Sequence, residues 1–480
     1  MKLTVEWKEN PSEEELVEWL KSYLDFGEIV NDDFPAKGAS SWYPYGYSII
    51  KNILRLASFL IKNIGFEEIV LPSFVHGEDF MKECRNIKDF SERVYWSPLY
   101  KEDDLHVVTP TIEAQLGSLY AKWLSQDKRL PFKYFTIRGV GRYETGKTIP
   151  LWKERNVWPF FEGLTAHNKK TDFTVTIRQQ VSFMKTFFKT LGIPVLIIER
   201  PKISRRLKEY SEKRIEAITI TKDKRVVILA NIYDLGEIFS KVYDITYYFK
   251  NAKYYALTSA IGLSGRVLAA LLVINGDRDG FVIPPSIAPI LVAIVPIYEK
   301  AALHKMSNIL KNYLSKNGIS SEVFNAKSSL GERRRKIVAM GVPFLIEVGK
   351  EEIRSSMLYI KQRGFSTTIQ TKIKNLPRTI KVQSKILEKA IKTKTMEQFN
   401  LLNRSAKSKE EFLHFVEDEF LTKAPFCDKP FCYEKAAECT GKEIIGRAYN
   451  IILNDRTKCV NCGKSAVQSL YFGVKWKGEK

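Results

Sequence analysis

The sequence predicts a chain of the α/β (α+β) class built in three parts, on three observations. Residues 133–143 and 157–165 read as two strands joined by a polar loop, 144–156, inside a long segment of mixed helix and strand. Residues 290–362 alternate strand and helix in the manner of a small α/β domain. Four of the six cysteines lie close together near the C-terminus. The expected divisions are 1–285, 286–378 and 379–480.

The elements follow in order. Residues 13–24 and 47–64 carry apolar residues at helical spacing, and 67–71 has the composition of a short strand. Trp152, Trp158, Phe160 and Phe161, in and after the polar loop, suit either a lined cavity or plain core. After Pro284-Pro285 the run 290–297 reads as a buried strand, followed by a helix over 298–317 and a strand over 321–325. A basic helix over 331–340 and strands over 343–348 and 357–362 complete that part, the last leading into a hairpin-like turn. A lysine-rich helix over 380–400 opens the third part.

Charge bears on function. The 480 residues hold 76 Lys and Arg against 55 Asp and Glu, a net charge of +21. Such an excess favours a polyanionic partner, although a generally lysine-rich composition produces the same number. No apolar run approaches the ~18–20 residues of a membrane span; the longest, 267–274 and 287–298, are too short. The acidic, amphipathic start lacks the apolar centre of a signal peptide, so a cytoplasmic location is expected.

The cysteines are spaced Cys427-x4-Cys432 and Cys459-x2-Cys462. Two such pairs supply the four soft ligands of a tetrahedral Zn2+, and Gly463 provides the tight turn that follows a second ligand. With four protein ligands the ion has no open position, so it would hold the fold and do no chemistry. The competing reading is four free thiols. Cys84 and Cys439 read as core residues.

Three further patterns belong together: Arg142-Tyr143-Glu144 at the end of a strand, Phe160-Phe161-Glu162-Gly163 on the returning strand, and Gly262-Leu263-Ser264-Gly265-Arg266 entering an apolar helix. Two arginines presented from a hairpin and a helix start could clamp a polyphosphate, because guanidinium binds phosphate bidentately. Each pattern alone is weak, since R-x-E also occurs as a surface ion pair.

Their order resembles the class II aminoacyl-tRNA synthetases, specifically the prolyl-tRNA synthetases of archaeal and eukaryotic type, over nearly the whole chain. Motif 1 of that family ends in a proline, matched by Pro72 in EEIVLPSF. Motif 2 corresponds to Gly141-Arg142-Tyr143-Glu144 with its loop and FFEGLTAH, and motif 3 to LTSAIGLSGRVLAALLVINGDRDGFVIPP. ERRRKIVAMGVPFLIEVGKEEI matches the anticodon-binding domain, and the four cysteines match the C-terminal zinc module. The resemblance therefore implies an antiparallel-sheet catalytic domain, an α/β anticodon-binding domain and a small zinc module. It implies ATP-dependent attachment of proline to its tRNA through a prolyl-adenylate, with ATP and Mg2+ required and a homodimer formed through motif 1.

Residue by residue, the resemblance assigns the α-phosphate of ATP to Arg142 and the γ-phosphate to Arg266, with Glu144 and Arg155 also at the ATP. Thr111, Glu113, Arg142 and Glu162 would bind the amino acid, the carboxylates taking its secondary ammonium. The basic helix 331–340, inside the part that resembles an anticodon-binding domain, offers Arg333 and Arg335 as tRNA contacts, with a merely solvated basic helix as the competing reading. The chain departs from the family pattern where RPTSE becomes Thr109-Pro110-Thr111-Ile112-Glu113 and where R-x-R-E becomes Lys153-Glu154-Arg155-Asn156. The histidine of EGHT is Leu164, the G-T-x-H element is Ala230-Asn231-Ile232-Tyr233, Ile228 stands for a glutamine, and HGDD is Asn275-Gly276-Asp277-Arg278. These departures leave a second expectation open, a synthetase-derived chain that binds tRNA or a true synthetase without charging. No insertion for a proofreading domain lies between His167 and Thr258.

Overall fold

A computed structural model describes residue 8 and residues 11–32, 37–84, 90–98, 105–144, 146–200, 211–298, 300–325, 328–366 and 368–476. Its centre is a run of antiparallel strands in the order Leu196–Glu199, Lys213–Ile220, Arg225–Gly236, Leu257–Ser264, Asn156–His167 and Phe132–Gly141. The last three include the returning pair expected around the polar loop. Residues directly opposite one another on neighbouring strands share a face, and successive residues alternate. Ile215, Ile232, Ile261, Gly163 and Phe135 form one cross-strand row. Its apolar side chains join the main core, on the side covered by the helices Lys170–Leu191 and Arg266–Asn275.

The adjacent row, Glu216, Asn231, Gly262, Glu162 and Thr136, must face the other way. At one end that opposite face is roofed by the helices Glu113–Ser125 and Ile238–Tyr243, with Leu164, Ala260, Leu116, Phe239 and Tyr243 packed between. Beside the roof, Asn231, Gly262, Phe160 and Arg142 are half-buried and border a recess, whereas Glu162, Glu216 and Thr136 along its floor are buried.

The second part is a five-stranded sheet in the order Ser321–Val323, Val292–Pro296, Phe344–Val348, Met357–Gln362 and Thr368–Lys372. Its first three strands are parallel, and its last two form the expected hairpin. The helix Leu330–Met340 begins at Ser329 with a reciprocal cap to Glu332, and Ile337, Ala339 and Met340 pack into the main core.

The third part is joined closely to the first. The long helix runs Leu376–Leu402, through the expected division at 379. Beyond it, Glu443–Ala448 pairs with Leu196–Glu199, and Gln468–Lys475 touches Arg225–Gly236 in parallel, Arg225 opposite Val474. Four strands of this third part thus extend the central sheet, which with Glu67–Glu68 at its far end has eleven strands among the described residues, and cover what would otherwise be an open edge. Trp476 closes the join against Trp152, ring centroids 4.7 Å apart. Among the described residues no helix is long and apolar enough to cross a membrane.

Candidate active site

The recess is built around Glu162. Its Oε2 accepts a hydrogen bond from the Ile112 amide at 3.0 Å, and its Oε1 accepts one from the Thr111 hydroxyl at 3.0 Å. Thr111 also contacts the carboxylate of Glu113, the first residue of the helix Glu113–Ser125. The chain segment 109–113 thereby folds over the sheet and brings the Thr111 hydroxyl and the Glu113 carboxyl group to Glu162 on its strand. Arg142, just beyond the end of its strand, donates from Nε to the Pro110 carbonyl at 3.0 Å and lies over the Phe160 ring at 4.6 Å. Phe160 sits on the open face and Phe161 in the helix-covered core, as alternation requires. The four aromatics therefore divide: Trp152 and Phe161 are buried, whereas Trp158 and Phe160 are half-buried.

A third acid, Glu83, is fully buried at the end of the helix Gly77–Cys84. Burial, and then the charges of Glu113 and Glu162, push its carboxyl well above the usual carboxylate range; Arg142 pulls the other way. Burial and Glu113 likewise push Glu162 up against Arg142. Sequence reasoning passed over Glu83. Its signal was its place three residues after Phe80, on the buried face of an amphipathic helix.

Further along the same face, Glu216 is fully buried and is met by two guanidinium groups, Arg214 Nε at 2.6 Å and Arg200 Nε at 3.0 Å. Arg214 also donates from Nη2 to Asn231 Oδ1 at 3.2 Å and lies 5.3 Å from the centre of the Tyr233 ring. Of the positions that depart from the G-T-x-H element, Asn231 and Tyr233 thus join an ordered polar cluster, whereas Ala230 belongs to the apolar core.

Arg266 opens its helix directly after Gly265 and donates from Nε to the Trp152 carbonyl at 2.8 Å. Arg142 and Arg266 are therefore both anchored through Nε to backbone carbonyls of loops bordering the recess. Arg155 donates from Nε to the Glu144 carbonyl at 2.8 Å and lies over Tyr143, so it braces its own loop.

The basic helix needs a correction. Arg333 is only 5% exposed, and its Nη1 donates to the carbonyls of Pro296 at 2.9 Å and Phe324 at 3.2 Å. A guanidinium used inside the domain is not presented to a phosphate surface. Arg334 pairs with Glu347, and Lys336 reaches Glu28 at 2.9 Å and the Phe26 carbonyl at 2.6 Å. Arg335 is exposed.

The four cysteines converge. Cys427 and Cys462 Sγ are 3.7 Å apart, Cys432 and Cys459 Sγ are 3.6 Å apart, and all four lie within 4.8 Å of one another. Four thiols at this spacing fit one tetrahedral ion. The Lys464 amide, foremost among several contacts, brings the Cys462 thiol down to about 7, which favours the thiolate a metal needs. Cys439 is exposed, contrary to its reading as core: the buried residues of its helix are Cys432, Tyr433 and Ala436, and none lies in the last turn; Cys84 is half-buried.

Comparison with known proteins agrees with this arrangement. A family profile described as "tRNA synthetase class II core domain (G, H, P, S and T)" matches residues 95–275, and one described as "Anticodon binding domain" matches 291–383. The chain is 32% identical to a proline–tRNA ligase of Sulfurisphaera tokodaii over 97% of this chain and 98% of that one. It is 26% identical to a proline–tRNA ligase of Methanosarcina mazei over 96% and 97%. A solved structure of Giardia lamblia prolyl-tRNA synthetase in complex with prolyl-adenylate superposes with a TM-score of 0.88 at 25% identity, covering 98% of this chain and 100% of that one. The chain belongs to the proline–tRNA ligase family of class II aminoacyl-tRNA synthetases.

Proposed function

We propose that the chain joins proline to its tRNA at the expense of ATP, with the recess beside Glu162 as the amino-acid site. The observation that carries this reading is the convergence of Thr111, Glu113, Glu162 and Arg142 in one recess of the class II sheet. Carboxylates suit the cationic amine of the amino acid, and a guanidinium suits the anionic groups it must meet. The proline carboxylate attacks the α-phosphorus of ATP, pyrophosphate leaves, and the terminal ribose hydroxyl of tRNA then displaces AMP from the adenylate.

Arg142 holds the α-phosphate and Arg266 the γ-phosphate, each steadied by the carbonyl bound at its Nε and using its remaining donors on phosphate. Neither takes or gives a proton; the rate comes from position and charge placement. Glu144 and Arg155 border the nucleotide, where Glu144 would help to orient the ATP or Mg2+. Arg335 contributes to tRNA binding. Zn2+ sits among Cys427, Cys432, Cys459 and Cys462, where it braces the C-terminal strands.

The working form is a cytoplasmic homodimer formed through the segment around Pro72. Pro72 is held to the sheet by Arg138 at 2.6 Å, and its neighbour Val70 is 92% exposed, an apolar group a second copy would cover. The functional divisions are 1–285 for catalysis, 286–378 for the anticodon and 379–480 for the zinc module. The non-charging alternative has no observation on its side. Proline-dependent ATP–pyrophosphate exchange and charging of proline-accepting tRNA test the proposal; no exchange with proline would overturn it.

A further inference from the structure

Glu83 lies outside every motif of the family pattern given above, yet it belongs to the same buried cluster. It is 0% exposed, and neither carboxyl oxygen has a hydrogen bond of ordinary geometry, the Ala114 amide giving only partial relief. The contrast with its neighbours is sharp. Glu162 receives the Ile112 amide, and it and Glu113 share the one proton of the Thr111 hydroxyl. An ionised carboxylate in a dry site needs such donors, and the acid that lacks them is the one that stays protonated.

Other groups around Glu83 do not change this. The helix Ile238–Tyr243 presents Tyr243, whose hydroxyl donates to the Asp79 carbonyl at 3.3 Å. Asp79 and Cys84 lie on the same helix as Glu83; the Asp79 carboxylate is used by Lys82 at 2.6 Å. The strands Phe74–His76 and Leu105–Val108 carry His76 and His106, whose rings meet edge to face at 5.4 Å. Against the three acids stand Arg142, which attracts Glu83 and Glu162, and Arg138, which attracts Glu162 from its strand, so that among the described residues two cations meet three carboxyl groups. The empty recess therefore has more carboxyl groups than its positive charge can balance.

We propose that Glu83 is a positioning residue of the amino-acid site, which holds a proton while the recess is empty and releases it to solvent when the substrate's cationic amine enters. The amine then supplies the positive charge that lets all three carboxylates ionise. This rests on the reading of the recess as the proline site. The balance is simple: protonated Glu83 and prolinium go to ionised Glu83, bound prolinium and one free proton. Two consequences follow. Proline binding releases about one proton, and its affinity rises about tenfold per pH unit while the cluster titrates.

Calorimetric titration of the full-length chain with L-proline, in buffers of different ionisation enthalpy, measures both. Glu83→Gln, which keeps the shape and cannot ionise, is expected to lose the proton release and flatten the pH slope. Release unchanged in that variant would overturn the proposal, as would binding by the unaltered chain without release. Infrared difference spectra of the unaltered chain need no variant to fold: proline should bleach a protonated-carboxyl band, and an unchanged band overturns the proposal. Absence of proline binding altogether would instead overturn the functional reading, and this inference with it.

Discussion

The guanidinium of Arg363 meets the carboxylate of Asp277 through two hydrogen bonds of 2.7 Å, one from each terminal nitrogen. Asp277 follows the helix that Arg266 opens, and Arg363 follows a strand of the second sheet, where its Nε also donates to the Val338 carbonyl at 2.9 Å. One planar ion pair thus ties the end of the proposed ATP-binding helix to the anticodon-binding part. Burial raises the Asp277 carboxyl, but Arg363 outweighs it and holds the group below the usual range. Asp277→Ala and Arg363→Ala should each destabilise the chain by about 2–3 kcal/mol, and the double variant by less than the sum. Denaturant unfolding of the four proteins checks this; additive losses would show that the pair is not coupled.

Arg142 and Arg266 are expected to act through charge placement. Replacing either with Ala should lower proline-dependent ATP–pyrophosphate exchange by on the order of 10²–10³-fold. The circular dichroism spectrum should be unchanged, because each side chain is anchored at the surface of the recess. Exchange within a few-fold of the unaltered chain would remove that arginine from the mechanism.

Metal analysis of the purified chain should find one zinc per chain, and Cys459→Ser should lose it. Because the strands of the cysteine-bearing part complete the central sheet, metal loss should lower the melting temperature of the whole protein, beyond that of the C-terminal module. A variant with full zinc content rejects the site.

Glu154 gives a pH dependence. It is 6% exposed, its Oε1 accepts a hydrogen bond from the Ser40 hydroxyl at 2.6 Å, and burial raises its carboxyl from 4.5 to about 7. As pH rises from 4.5 to 7 the unfolded chain loses this proton while the folded chain keeps it. The stability that the neutral acid contributes, about 3 kcal/mol, is therefore full below 4.5 and lost as pH passes through 7. Unfolding measured across this range should show the decline, and Glu154→Gln should remove it. An equal decline in the variant would assign it to other groups.

The basic helix should divide by position. Arg335→Glu should weaken tRNA binding and lower its salt slope by about one. Arg333→Ala should leave two carbonyls without their donor and cost about 2 kcal/mol of stability, with the salt slope unchanged. The reverse result would place the tRNA contact at Arg333.

By itself the sequence determined what neighbouring residues can encode. The turn chemistry around Arg142 and Gly265-Arg266, the helix repeat of 331–340 and the strand over 357–362 are properties of short windows, and each formed within a residue or two of expectation. The Cys-x2-Cys and Cys-x4-Cys pairs are equally local, so their ligand role was legible, although their meeting was only implied. Tertiary structure decided which distant groups share a space. Adjacent cations on a helix point in different directions, but only packing settled that Arg333 turns inward to Pro296 and Phe324 while Arg335 stays outside. Glu83 reaches Glu162, and the C-terminal strands reach Leu196–Glu199, because strand register and helix packing bring together segments far apart in the chain. No periodicity records that register. It follows from burying the Ile215 row beneath its helices, which turns the Glu162 row, and with it the recess, to the other side.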